Sequence, residues 1–253
     1  MLIDSHCHFN LSKVSPQSWI EEAKKNNVHK FLNVSVDIET FPEILTLAEQ
    51  HKEMYASVGV HPNADLHDQT SVEDLIQLSQ HPKVIAIGET GLDYYRSSGD
   101  LTWQFKRFRN HIQAAKETKK PLIIHCREAK EDVLKILKEE NAKEIGGIMH
   151  CFVENWDIAQ QVMDLGFLIS FSGIVTFKTA TDLQEVAQKV PANQYLIETD
   201  APFLTPLPFR GKPNQPAYVK QIGEFIAVLR NESLNTVAQN TTQNFLNLFQ
   251  LTA

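Results

Sequence analysis

The chain has 253 residues, 42% of them hydrophobic and 22% charged, with a formal net charge of −7. That composition is ordinary for a soluble globular protein, and the length suits one (β/α)8 barrel. The net acidity argues against broad, nonspecific coating of nucleic acid, but not against an enzyme acting on a phosphodiester, because bound metal ions supply local positive charge.

The first stretch, Leu2-Ile3-Asp4-Ser5-His6-Cys7-His8, reads as a strand closing on two histidines. Residues i and i+2 of a strand share a face, so His6 and His8 can grip one ion while Cys7 faces away. Further short apolar runs follow at 31–35, 55–60, 84–89, 121–125, 147–150, 167–172 and 195–198, making eight with the first at 2–6. Between them lie helical stretches. Ser15-Pro16 offers an N-cap and a proline at the first helical position, ahead of Trp19, Ile20 and Ala23. Residues 38–50 carry Ile44, Leu45, Leu47 and Ala48, and Ser71 with Asp74 forms a capping-box variant over 71–80. Phe105, Phe108, Ile112 and Ala115 stripe 103–118; Val133, Ile136 and Leu137 stripe 128–140. Asn155 caps 156–165, and Thr181 with Gln184 frames a capping box before Val186 and Val190. The last two helices span 218–229 and 234–249.

Eight strands alternating with helices, with no composition break, imply a single-domain α/β TIM barrel over residues 1–253. A doubly wound open sheet is the alternative, weakened by the lack of a glycine-rich phosphate fingerprint after the first strand. No apolar run approaches the roughly 18 residues that span a bilayer, and no secretory signal is visible, so no membrane partner is expected. Cys7, Cys126 and Cys151 each follow a histidine. An odd count argues against a disulfide framework and fits a reducing cytoplasm; strand alternation makes them small buried residues on the reverse face. The five-proline stretch 201–216 cannot be helix or central strand and should lie over the C-terminal mouth of the barrel.

The polar residues fall at strand ends: His6 and His8, His61, Glu89, His125, His150 and Asp200. In a barrel these ends gather at one mouth, where active sites lie. A Ser-His-Asp arrangement would explain one histidine and leave the rest unused. His6, His8, Glu89, His125, His150 and Asp200 are too many ligands for one ion that keeps an open position. Two ions bridged by a carboxylate can use them, and Glu89, central in strand order, is the natural bridge. Imidazole with carboxylate suits Zn, Mn or Fe better than Ca, with Mg bound more weakly.

The stretches Asp4-Ser5-His6-Cys7-His8, Gly59-Val60-His61-Pro62, Gly88-Glu89-Thr90-Gly91-Leu92-Asp93-Tyr94, Pro121-Leu122-Ile123-Ile124-His125-Cys126-Arg127, Glu198-Thr199-Asp200-Ala201-Pro202 and Arg210-Gly211-Lys212-Pro213-Asn214 resemble the signatures of TatD-type metal-dependent deoxyribonucleases. The resemblance runs from residue 1 to about 249. It implies one ion on His6, His8, Glu89 and Asp200, a second on Glu89, His125 and His150, and phosphodiester hydrolysis in DNA, often as a 3′-to-5′ exonuclease. Asn63 departs from the family pattern, in which many members carry a second histidine after the His-Pro pair.

With a metal-activated hydroxide as nucleophile, Asp200 is expected to take the water's proton, with Glu89 as bridge. A protonated His61 is a candidate to stabilise the leaving oxygen. Arg127, Arg210 and Lys212 are candidate phosphate clamps. Asp93 is placed to support a ligand histidine, and Tyr94 and Tyr95 to stack on a base. DNA, single-stranded or at 3′ ends, is the expected partner, with two divalent ions (Zn, Mn or Mg) and a monomeric chain. The runner-up is a binuclear amidohydrolase or esterase of the same barrel, acting on a lactone, a cyclic amide or an aminoacyl ester. Relatives of that type often bridge their ions with a carbamylated lysine, and no lysine ends a strand here. A metal-storing protein without turnover is a third reading, disfavoured by an open site under a cationic loop.

Overall fold

Eight parallel strands pair in sequence order: β1 (Leu2–Cys7), β2 (Val28–Asn33), β3 (Met54–Val58), β4 (Val84–Asp93), β5 (Leu122–Arg127), β6 (Gly147–Met149), β7 (Phe167–Phe171) and β8 (Tyr195–Ile197). The helices are α1 (Pro16–Lys25), α2 (Phe41–Gln50), α3 (Val72–Leu78), α4 (Thr102–Thr118), α5 (Lys130–Glu139), α6 (Trp156–Asp164), α7 (Thr181–Lys189), α8 (Val219–Arg230) and α9 (Leu234–Leu248). The structure, a computed structural model, describes residues 1–64 and 70–252. The sheet curls until β8 meets β1: Cys7 bridges Ala201, the His8 N–H donates to the Ala201 carbonyl at 2.8 Å, and the Asp200 N–H donates to the His6 carbonyl at 2.9 Å. The expected barrel is therefore the observed fold, and the open sheet is excluded.

Two apolar layers account for the alternation along the strands. Leu2, Phe31, Val84, Leu122 and Ile197 face the helices. Ile3, Leu32, Ile85, Ile123, Ile148 and Leu196 form a separate cluster with Phe245 and Phe249, at the C-terminal end of the chain. Each such buried side chain contributes about 1.5–3 kcal/mol.

Local signals mostly hold. Ser15 accepts from Ser18 N–H at 3.2 Å, Asn155 from Ile158 N–H at 3.2 Å, and Ser71 and Asp74 exchange both capping-box bonds. The Thr181–Gln184 box does not form: Ala180 is the N-cap, and the Gln184 amide instead donates to the Val175 and Phe177 carbonyls at 3.0 Å.

Two strands are irregular. On β1, Asp4 pairs with Phe31 but Cys7 with Asn33; on β4, Ile87 pairs with Leu122 but Thr90 with Ile124. In each, three steps match two on the neighbour, which is the count of a bulge. These are the strands that carry His6 and Glu89. β4 also outruns its expected end at Glu89 and continues to Asp93. Gly91 makes this possible: it sits opposite His125 at φ +136°, and a Cβ there would overlap the His125 carbonyl. Gly91→Ala is expected to cost more than about 1 kcal/mol of stability, read as a shift in the urea midpoint at unchanged slope.

Candidate metal centre

The residues at the C-terminal mouth are brought together as expected. His6 lies on β1, His8 just past it, Glu89 in the β4 bulge, His125 on β5, His150 one residue past β6 and Asp200 just past β8. His6, His8, Glu89 and His150 form a buried floor; His125 and Asp200 are half-buried toward the mouth.

The donor atoms fall into two overlapping groups. His6 Nε2 lies 3.2 Å from Glu89 Oε2 and 3.7 Å from Asp200 Oδ1. His8 Nε2 lies 3.2 Å from Asp200 Oδ1 and 4.0 Å from Glu89 Oε2. The other oxygen, Glu89 Oε1, lies 3.0 Å from both His125 Nδ1 and His150 Nε2. Ligand atoms about 2.0–2.2 Å from a tetrahedral ion sit about 3.3–3.6 Å apart. The observed separations bracket that spacing, and one carboxylate spans both groups.

The ring nitrogens facing away from these groups are anchored on three of the four histidines. His8 Nδ1 pairs with the Val34 carbonyl at 2.9 Å, His125 Nε2 with Asp93 Oδ2 at 3.1 Å and His150 Nδ1 with Glu198 Oε1 at 3.0 Å. Such partners fix tautomer and ring orientation. With its Nδ1 hydrogen committed to Val34, neutral His8 turns a lone pair toward His6 Nε2, 3.2 Å away. His6 Nδ1 is buried without a partner, so His6 Nε2 either donates its hydrogen to His8 or meets it lone pair to lone pair, an arrangement that a cation between the two nitrogens satisfies. The donor set therefore fits divalent metal.

The electrostatics agree. Burial depresses His8, His125 and His150, but the facing carboxylates outweigh it and all three pKa values rise, that of His150 well above the ordinary value. Burial raises Glu89, but the charges of His150, His61 and His6 outweigh it and hold it well below the usual carboxylate range. Burial likewise raises Asp200, and the His8 hydrogen bond outweighs it in the other direction. The raised histidines contribute stability below about pH 6.5 and lose it as pH rises through their folded values. Asp4, pushed up to about 8 by burial, adds to the same loss. Metal-free protein is thus expected to weaken as pH rises above 6.5, whereas metal uptake displaces protons and strengthens by about tenfold per proton per pH unit. The melting-temperature gap between metal-loaded and EDTA-treated protein should widen from pH 5.5 to 8. A constant gap would contradict this arrangement.

The floor opens into a cleft of about 870 Å³, lined among others by His8, His61, Asn63, Glu89, Asp93, Arg96, His125, Arg127, His150, Cys151, Asp200 and Phe203. His61 Nε2 lies 3.5 Å from Glu89 Oε1 and 3.3 Å from His125 Nδ1, and His61 Nδ1 accepts from the Asn63 N–H at 2.9 Å. The proton of neutral His61 is therefore on Nε2. Burial drives its pKa down to about 3, which corrects the expectation of a protonated His61; the neutral ring still has one hydrogen to donate. Asn63 also donates to Asp93 Oδ2 at 2.7 Å, behind His125.

Arg127 lines the cleft, its guanidinium 3.9 Å above the Tyr95 ring. Arg210 and Lys212 do not line it: both are exposed, Arg210 over the Phe177 ring at 4.3 Å and Lys212 over the Phe209 ring at 5.9 Å. Tyr94 is tied to Asp132 through its hydroxyl at 2.6 Å. Cys7 faces the helices as expected, but Cys151, at φ +44°, lines the cleft with Sγ 3.2 Å from Ser172 Oγ. No cysteine joins the donor groups among the described residues.

Sequence reasoning missed Glu198, which is fully buried and also accepts from the Cys151 N–H at 2.8 Å and from Ser170 Oγ at 2.5 Å. Its signal was a carboxylate ending an otherwise apolar strand, overshadowed by Asp200 two residues on. It also missed the seam made by Asp4, whose carboxylate accepts from Thr199 N–H at 2.8 Å and Thr199 Oγ1 at 2.5 Å.

A family model described as TatD-related DNase matches residues 3–250. The metal-dependent hydrolase YabD of Bacillus subtilis is 44% identical over 99% of this chain and 100% of its own length. The metal-dependent hydrolase YcfH of Escherichia coli K12 is 41% identical over 100% of this chain and 97% of its own. The crystal structure of YJJV, a TatD homologue from Escherichia coli K12, superposes with a TM-score of 0.92 at 29% identity, covering 99% of this chain and 98% of that one.

Proposed function

We propose, from the premise that this chain belongs to the TatD-related DNase family and is a metal-dependent hydrolase, that it cleaves phosphodiester bonds in DNA. The observation that carries this reading is the pair of donor groups sharing Glu89 at the floor of an open cleft with two arginines on its wall. His6, His8, Glu89 and Asp200 would hold one divalent ion, and Glu89, His125 and His150 a second, with Zn, Mn or Mg as candidates. Bound there, such ions supply Lewis acidity to a phosphoryl oxygen and lower the pKa of water.

The chain's own residues do the rest. Asp200, half-buried at the mouth, accepts a hydrogen bond from the attacking water, orients it and takes its proton. Neutral His61 donates its Nε2 hydrogen to a phosphate or leaving oxygen. Arg127, stiffened by Tyr95, clamps a phosphate next to the scissile one. Glu198 and Asp93 keep His150 and His125 from rotating. The finer reading is removal of nucleotides from single-stranded 3′ ends, in the cytoplasm, by a monomer.

The test is a panel of single-stranded, double-stranded and abasic DNA with Mg, Mn and Zn, run beside lactones, cyclic amides and aminoacyl esters. DNA cleavage that disappears in His6→Ala is the expected result. Turnover of an ester or amide with DNA left intact would replace the reading by the amidohydrolase one. In the same assay Arg127→Ala is expected to raise KM about ten- to a hundredfold, as for the loss of a charge-assisted hydrogen bond worth about 1.5–3 kcal/mol.

A further inference from the structure

The cleft has two unlike walls. Arg96, past β4, and Arg127, the last residue of β5, stand on one side of it. Past β1 and β8, Leu11 at 41% and Phe203 at 52% line the same cleft while staying open to solvent, and Val153 at 43% joins them from the loop after β6. Exposed apolar side chains scattered singly need no explanation, but three around one polar cleft do.

Phe203 is held in place rather than loose. It lies three residues past Asp200, and its N–H donates to the Asp200 carbonyl at 2.8 Å. The buried Asn214 side chain donates to the Phe203 carbonyl at 2.5 Å and to the Thr199 carbonyl at 2.8 Å, and the Asn214 N–H donates to the Pro202 carbonyl at 3.2 Å. Behind the next residue, Gly173 leaves room for the Leu204 carbonyl where a Cβ would collide with it. The backbone is thus pinned on three sides while the ring is half in solvent. Its centroid is 6.3 Å from that of His8, edge to face, so it flanks the donor groups directly. The fold gives this aromatic no packing role that would account for its rigid anchoring.

We propose that Phe203 is a nucleobase platform: it stacks on the base of a nucleotide flanking the scissile phosphodiester and so selects unpaired DNA. This rests on the phosphodiesterase reading above and adds a determinant of substrate form to it. Paired bases already have both faces stacked, so only an unpaired or frayed base offers a free π-face to the ring. The arginine wall takes the neighbouring phosphate, and the opposed apolar wall takes the base. A nucleotide laid across the cleft meets its own two chemistries in the order the cleft presents them.

The test compares wild type, Phe203→Ala and Phe203→Tyr on a single-stranded oligonucleotide and on the same strand with abasic residues at the two positions flanking the cleaved bond. Phe203→Ala should raise KM on the full strand on the order of ten- to a hundredfold, the size of one lost base–aromatic stack, with kcat little changed. Phe203→Tyr should restore it, and the wild type and Phe203→Ala should converge on the abasic strand. In an Asp200→Asn background, 2-aminopurine at a flanking position should be quenched on binding, and the quenching should vanish with Phe203→Ala. Equal losses on both strands, no loss on either, or quenching that survives the substitution would overturn the proposal with the phosphodiesterase reading intact. Failure of the wild type to cleave any DNA would overturn that reading itself.

Discussion

Glu89→Gln is expected to be the most damaging single substitution in the chain: under the proposed two-ion phosphodiesterase reading it lowers hydrolysis on the order of 10³-fold or more and bound metal to fewer than one ion. Glu89 offers one oxygen to His6 and His8 and the other to His125 and His150, all within 4.0 Å. An amide keeps the size but offers a single neutral oxygen, so neither donor group retains its full charge. The loss should extend to the metal-free protein. Glu89 is the negative charge against which His150, His61 and His6 are packed, and removing one partner of a buried pair costs about 3–5 kcal/mol. His150, the one of the three whose pKa is raised, relieves part of that by staying neutral, so the penalty should be largest at low pH, where it would otherwise be charged. Metal content by plasma mass spectrometry and urea melts at pH 5.5 and 8 test both halves. Two ions per chain and wild-type rates in Glu89→Gln would remove Glu89 from the bridge.

Much of this centre is legible in the sequence because a barrel turns strand ends into neighbours. Short apolar runs closing on His6, Glu89, His125, His150 or Asp200 need only the parallel topology to converge. What the strand period does not carry is where the period breaks. The β4 bulge lies where backbones come close, with Gly88 against Ile123, and Gly91 reads locally as a strand breaker. In the structure it is what lets β4 run on to Asp93 and support His125. Loop direction is equally hidden. Arg210 and Lys212 look like phosphate ligands because they follow the last strand, but the side chain of Asn214 and the bare face of Gly173 pin the first part of that loop inward and leave the cations outside. That pinning also makes Phe203, ordinary in the sequence, part of the cleft. Supporting residues are the hardest to read. Glu198 and Asn63 carry no spacing of their own and acquire a role only from the histidine or carboxylate they touch.

Asp200→Asn separates holding the site together from moving the proton. Asp200 has φ +57°, in the left-handed region, where asparagine is among the few residues tolerated. Its backbone closes the barrel through the His6 carbonyl and starts the Phe203 turn, and neither bond uses the side chain. The substitution should therefore leave barrel closure and oligonucleotide affinity close to wild type, while the neutral amide gives up the His8 ion pair and costs the metal-free protein part of its stability. The amide oxygen can still face His8, but the side chain can no longer accept a proton from water. The rate constant kcat should fall about 10²–10⁴-fold, the range for a lost general base, while KM changes little. The remaining activity should lose the acid limb of its pH profile, since the group that must be ionised is gone. Asp200→Ala adds a backbone penalty at the positive φ and should be less stable as well as inactive. If Asp200→Asn instead loses metal and activity in proportion, and excess metal restores the rate, Asp200 acts only as a ligand and the proton goes elsewhere.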